Sequence, residues 1–298
     1  MDSVVEIKKS NSIVILLEVA SVKVAFEILG AITTRVAIEF TPNGFGMSSI
    51  NDVSPGVKKG KGGKKTCIGK KPHQIDYKFP KEDLSKYDYN LVTNLGMPLS
   101  SYKVEVLVDE ISTNIKNLKK NKLKLSITVD GDMNNTGILM YVTETGLVKH
   151  IEAPVVKSNT KYTDQFNKYY MNTNPIAKPF MNDFGNIVTG STNANHSELQ
   201  LCYNPITKNA YVYSWKRGFD KPSTACPLTE DDNDGNGEID NNNVKKSIDL
   251  SECGWLTKIS KLNPSAVLKI YMSQDGPLIF RTMIGSQGIA TFSFAYVM

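Results

Sequence analysis

The amino-acid sequence predicts an α+β protein of two similar domains, each built from two strand-helix-strand-hairpin units, with short helices on one face of antiparallel sheets. Three observations predict it. A unit of that order recurs four times along the 298 residues. Every segment with helical periodicity is short and is followed by alternating strands, which leaves the helices to cover one sheet face. A composition of 40% hydrophobic and 22% charged residues is that of a globular chain, long enough to bury a core in each of two domains.

The first unit runs through "IVILLEVASVKVAFEILGAITTRVAIEFTPNGFGMSSI". Ser21 is placed to cap a helix whose Val22, Phe26 and Leu29 share one face, and Val36 to Phe40 leads into hairpin chemistry at Pro42, Asn43 and Gly44. In the second unit "YKVEVLV" and "KLKLSITV" alternate as strands around a helix capped by Asp109. Its Ile111, Ile115 and Leu118 lie on one side and Thr113, Lys116 and Lys120 on the other.

The third unit, "FNKYYMNTNPIAKPFMNDFGNIV" with "SELQLCYNPITKNAYVYSW", holds Pro179, which restricts the helix to a short segment beginning near it. The fourth, "KKSIDLSECGWLTKISKLNPSAVLKIYMSQDGPLIFRTMI", reads strand, helix capped by Ser251, strand, Asp-Gly turn, strand. Leu256 and Ile259 point inward while Lys258 and Lys261 point away. The units pair into an N-terminal domain at 1–150, a connector at 151–166 and a C-terminal domain at 167–298.

Several function classes find little footing. The apolar stretch from Ile13 to Ile32 is interrupted by Glu18, Lys23 and Glu27, which argues against a spanning helix, and no signal-peptide pattern opens the chain. Cys67, Cys202, Cys226 and Cys253 have no CxxC spacing and read as buried thiols of a reducing compartment, so the protein is expected to be intracellular. "KKGKGGKK", from Lys58 to Lys65, lacks the glycine gap of a phosphate loop and reads as a mobile basic surface loop. There is no clustered catalytic set, so an enzyme is not expected.

"DNDGNGEIDNNN" sets Asp232, Asp234, Asn236, Glu238 and Asp240 in the pattern of a calcium loop. Asn243 stands where a bidentate Glu should close the shell, and the flanking residues are not helical. A solvated acidic hairpin connection is the preferred reading, with a calcium-binding module as an alternative. No cofactor is expected.

The four-unit pattern resembles the DNA polymerase sliding clamps of the proliferating cell nuclear antigen type, in which two similar domains per subunit close into a ring around duplex DNA. The likeness is strongest in "LTKISKLNPSAVLKIYMSQDGPLIF" and "IGSQGIATFSFAYV", which look like the family's final helix, strands and tail. The basic run, the stretch "NLVTNLGMPLS" and the acidic loop exceed the family's compact pattern. They suggest a divergent clamp of viral kind, expected to act in the nucleus or at a cytoplasmic viral replication site.

The resemblance implies sequence-independent contact between duplex DNA and lysines on the helices: Lys23, Lys116, Lys119, Lys120, Lys178, Lys258 and Lys261. Glu27 on the first helix argues against a uniformly positive lining. It also implies a groove beside the connector that holds polymerases and other replication proteins through short hydrophobic peptides. Carried over by position, the groove involves Ile50, Val155, Tyr162, Pro277, Phe294, Ala295 and Tyr296. A homotrimeric ring is expected; a monomeric processivity or transcription factor with the same fold is the alternative.

Overall fold

A computed structural model describes residues 12–17, 19–49, 56–59, 65–68, 73–93, 95–108, 123–128, 138–144, 147–153, 155–157, 173–219, 221–228 and 243–294. The first half contains β1 (Ser12–Leu17), α1 (Val19–Ile32), β2 (Arg35–Thr41), β3 (Gly44–Ser49), β4 (Gly56–Lys59), β5 (Lys65–Ile68), β6 (His73–Pro80), β7 (Lys86–Asn90), β8 (Tyr102–Leu107), β9 (Leu123–Thr128), β10 (Ile138–Glu144), β11 (Leu147–Ala153) and β12 (Val155–Lys157). The second half contains α2 (Met181–Asn193), β13 (Glu198–Tyr203), β14 (Ala210–Trp215), β15 (Thr224–Pro227), β16 (Val244–Asp249), a 3₁₀ helix (Gly254–Lys261), β17 (Lys269–Tyr271), β18 (Leu278–Ile284) and β19 (Gly288–Phe294).

The largest sheet has eight antiparallel strands in the order β12-β8-β2-β3-β6-β19-β18-β17, so it crosses from the first half of the chain into the second at β6 and β19. A four-stranded sheet, β15-β14-β13-β16, lies in the second half, and β7-β1-β9 in the first, with β10 beside β9 and β11 paired to β10. Alternation explains the strands. Val36, Ile38 and Phe40 are buried on the helix-bearing face of β2, and Glu39 between them is half-buried on the other.

The predicted turn forms as read. Gly44 has φ +128°, and a Cβ there would run into the Phe79 carbonyl, so only glycine fits this bend against β6. Tyr87 donates from its hydroxyl to the carbonyls of Thr41 and Gly44, at 2.7 and 2.9 Å, and fastens the same turn to β7.

The helices lie on one face of the sheets, as expected. Val22, Phe26 and Leu29 of α1 are all buried, and the hydroxyl of Tyr77 on β6 reaches up to the Ala25 carbonyl at 3.2 Å. In α2, Phe184 meets Phe280 of β18 edge-on, with ring centroids 5.2 Å apart. Trp255 of the 3₁₀ helix stacks on Phe292 and Phe294 of β19 at 5.4 and 5.9 Å. Burying a side chain of this size contributes about 1.5–3 kcal/mol relative to leaving it in water, so these contacts fix the helices to the sheet.

Three local expectations are corrected. Ser21 falls inside α1, which begins at Val19, so it is not the cap. Ser251 caps nothing: its hydroxyl and amide both bond the Asp249 carboxylate, at 2.6 and 2.8 Å, in a turn ahead of the next helix. That helix is 3₁₀ over eight residues, begins after Cys253 and has no side-chain cap. The helix expected after Asp109, the acidic loop with its Asp232, Asp234, Asn236, Glu238 and Asp240, and the middle of the basic run lie outside the described residues. The ends of the basic run pair as a two-stranded ribbon, β4 with β5.

Among the described residues no helix is long and apolar enough to cross a membrane. The stretch from Ile13 to Ile32 is divided between β1 and α1.

Candidate nucleic-acid interface

On the helix-bearing side, α1, the 3₁₀ helix and α2 stand in a row. The 3₁₀ helix packs against α2 within the second half and against α1 across the junction of the halves. Its close approach to α2 depends on Gly185, where a Cβ would meet Ser260 at 2.5 Å.

The charge on this row is modest. Lys258 and Lys261 stand in the last turn of the 3₁₀ helix, where its dipole favours cations. Lys261 is exposed, while Lys258 Nζ lies 3.2 Å from Glu27 Oε2 of α1, both side chains about one-third exposed. Lys23 is half-buried one turn before Glu27. Neither lysine nor arginine occurs in α2, whose exposed face shows Asn182, Asp183, Asn186, Thr189 and Asn193. The described helices therefore bring together Lys23, Lys258 and Lys261.

Lys178 is separated from them. It precedes α2 in an extended segment whose Ala177 and Phe180 bridge to Ile270 and Val267. Alternation turns Ala177 into the core and Lys178 to the opposite face, away from the helices. Lys116, Lys119 and Lys120 lie outside the described residues.

Of the residues expected in the partner groove, Pro277 and Phe294 lie together at one end of the large sheet, while Val155 is five strands away on β12. Phe294 is opposite Leu278, the neighbour of Pro277, on one side of β19 and opposite His73 of β6 on the other. Three residues along β6, Asp76 faces Ser48 of β3, and the Ser49 hydroxyl accepts the amide of Ile75 at 2.9 Å. The Phe294 ring itself is 5% exposed and sits under Trp255, so its side chain belongs to the core. Pro277 is buried in the turn before β18. Val155 lies on β12 opposite Val106; Ile50, Tyr162, Ala295 and Tyr296 are outside the described residues.

Sequence reasoning missed two features. One is the outer edge of β15: Pro227 within so short a strand is the signal that could have marked it. The other is a cavity of about 450 Å³ between α2 and that strand, lined by Ile187, Val212 and Cys226 together with His196 and Ser214. Ser214 Oγ and His196 Nδ1 are buried there without a hydrogen-bond partner. Burial also raises the Cys226 thiol above its ordinary value, and pushes that of Cys202, two strands away on β13, up to about 11. Among the described residues no group of three or more His, Cys, Asp or Glu side chains could hold a metal ion.

No family model matches the chain, and no curated protein matches it. Solved structures do. The chain is similar to the PCNA2-PCNA3 complex from Sulfolobus tokodaii, with TM-score 0.67 and 15% identity, covering 95% of this chain and 98% of that one. It is similar to the proliferating cellular nuclear antigen from Entamoeba histolytica, with TM-score 0.64 and 11% identity over 96% and 99% of the two chains. A third similar structure is the A. fulgidus PCNA bound to the C-terminal region of FEN-1, with TM-score 0.65 and 11% identity over 96% and 98%. At such identities the likeness speaks for the fold, and the internal repeat read from the sequence agrees with it: the chain has the fold of the proliferating cell nuclear antigen sliding clamps.

Proposed function

We propose that the protein is a non-enzymatic DNA sliding clamp, a polymerase processivity factor whose copies join head to tail into a ring, with a homotrimer expected. The observation that carries this reading is the internal repeat of the sheets. The order β16-β13-β14-β15 in the second half repeats β8-β2-β3-β6 in the first, so β15 is the counterpart of β6. In the same way β11, the strand that precedes the short β12, is the counterpart of β19.

Inside the chain β6 and β19 pair over six residues, from Lys78 with Ile289 to His73 with Phe294. Their counterparts β15 and β11 each have a partner on one side alone among the described residues. Pairing β11 of one copy with β15 of the next would repeat the internal junction between chains. Such a contact is heterologous and generates a ring when the rotation closes. The cavity beneath α2, with its unpartnered Ser214 and His196 atoms, flanks the same edge and leaves room for side chains from a neighbouring copy.

In that arrangement the helix row faces the hole, and Lys23, Lys258 and Lys261 of the described residues, with Lys116, Lys119 and Lys120, attract the phosphate backbone. Contacts to phosphate carry no base information, which is what sliding requires. The end of the large sheet near Ser49, Pro277 and Phe294 is the proposed place for short hydrophobic peptides of replication proteins. The FEN-1 segment bound to the A. fulgidus protein supports this reading by analogy. The acidic loop is proposed as a connection dispensable for assembly.

Light scattering coupled to size exclusion tests the ring. A mass three times 33.0 kDa at micromolar concentration is expected. A strictly monomeric mass would overturn the ring and leave an open clamp-fold factor.

A further inference from the structure

On the face of the large sheet that points away from the helices, two parallel rows of side chains run across the strands of the second half. Phe180 stands opposite Val267, and the β17–β18 register extended by two residues sets Val267 beside Met283. All three are exposed, at 53%, 36% and 39%. One row along, Lys178 stands opposite Lys269, and Lys269 is paired with Arg281. Alternation sets these side chains on the outer face, because Leu268 and Thr282 between the rows, and Ala177, Ile270 and Phe280 beside them, are buried.

Both rows are unusual for a solvated sheet face. Like charges directly opposite one another are destabilising in a sheet, yet Lys178 and Lys269 are both exposed and make no ion pair among the described residues. Exposed apolar side chains are ordinary when scattered, but three in register across adjacent strands form a contiguous strip. An anionic partner would relieve the first cost and an apolar one would use the second.

We propose that this face docks an acidic amphipathic helix of a partner protein, lying across the strands with its apolar stripe on Phe180, Val267 and Met283 and its acidic flank on Lys178, Lys269 and Arg281. The spacing suits such a helix. Strands lie about 4.8 Å apart and a helix rises about 5.4 Å per turn, so apolar residues at i, i+3 or i+4, and i+7 each fall over one strand. The cationic row lies two residues along the strands, about 6.8 Å away, within reach of carboxylates beside the stripe. Strand addition does not fit, because a face is offered and not an edge. Duplex DNA fits poorly, since Phe180 and Met283 gain nothing from phosphates. The site lies on the sheet face opposite the helix row and does not rest on ring closure.

The test uses the full chain and a fluorescein-labelled synthetic peptide of about five helical turns, with leucines at the stripe positions and glutamates beside them. Anisotropy should report saturable binding that weakens with added salt. A peptide with the same leucines and lysine flanks should not bind. Lys178→Glu with Lys269→Glu, and separately Phe180→Ser with Met283→Ser, should each weaken the glutamate peptide at least about tenfold, with the circular dichroism of the variants unchanged. The proposal is overturned if neither peptide binds, if both bind alike, or if the substitutions leave affinity unchanged. It is equally overturned if the substitutions instead abolish binding to phosphatidylserine vesicles or to duplex DNA while the peptide is ignored.

Discussion

Lys258 Nζ lies 3.2 Å from Glu27 Oε2, and this contact joins the 3₁₀ helix of the second half to α1 of the first. The pair does two things at once. It braces the junction of the halves on the helix side, where the sheet is already continuous, and it cancels a positive charge on the surface proposed to face DNA.

The first prediction follows from that cancellation. Glu27→Gln should strengthen duplex binding irrespective of sequence and steepen its salt dependence by about one phosphate contact. Stability should fall little, because an exposed pair contributes about 0.2–1 kcal/mol. Fluorescence titrations at several salt concentrations check both. An unchanged slope would remove Lys258 from the DNA surface.

What could be read from sequence was whatever local chemistry decides. Val36, Ile38 and Phe40 announce β2 by alternation, and the Asn43-Gly44 turn announces its hairpin, because period and turn type are properties of a few adjacent residues. Ser21 and Ser251 misdirect for the same reason. A serine before an apolar run has cap chemistry, but α1 already begins at Val19, and Ser251 is captured by Asp249 two residues earlier. The face on which Lys178 projects depends on Ala177 pairing with Ile270, 93 residues away in a chain numbered to 298, and no local pattern encodes that. The edge status of β15 is non-local in the same sense, since it depends on which strands pair with it, and among the described residues β14 alone does.

The open edge of β15 yields the second prediction. Leu228 donates to the Ala210 carbonyl at 2.8 Å, so the alternation of an antiparallel ladder turns Cys226 toward β14 and Ala225 toward the open side. Pro227 has no amide to offer there. Ala225→Pro should therefore delete an outward donor while leaving the β14 ladder intact. The expected outcome is an unchanged thermal midpoint for the monomeric fold and a shift from ring to monomer in light scattering. Retention of the full oligomeric mass would place the interface on another edge.

Trp255 supports the third prediction. It is 4% exposed and stacks on both Phe292 and Phe294, so Trp255→Ala opens a cavity between the 3₁₀ helix and β19. A loss of about 3–5 kcal/mol is expected from denaturant unfolding. The loss should be accompanied by weaker duplex binding, because the same helix carries Lys258 and Lys261. A loss under about 1 kcal/mol would mean that the helix is held chiefly by Leu256 and Ile259.

The last prediction concerns the thiols of the second half. Cys202 is 1% exposed, and burial, partly opposed by Lys245, pushes its thiol from 9.0 up to about 11. Between those two values the unfolded chain loses this proton while the folded chain keeps it, so the unfolded state binds fewer protons and stability falls as pH rises. The contribution is complete below pH 9.0 and lost on passing about 11. Tyr77 and Tyr87, also raised by burial, act in the same direction at higher pH. Cys202→Ala removes one of these groups, so its denaturation midpoint should decline less steeply between pH 9 and 11 than that of the parent. Alkylation gives an independent reading, because the thiolate is the reactive form. Native Cys202 should resist iodoacetamide at neutral pH, and half-buried Cys226 on β15 should react faster in dilute protein than at concentrations where copies join along that edge. Equal labelling of Cys226 at all concentrations, in a sample shown to be oligomeric, would exclude β15 from the interface.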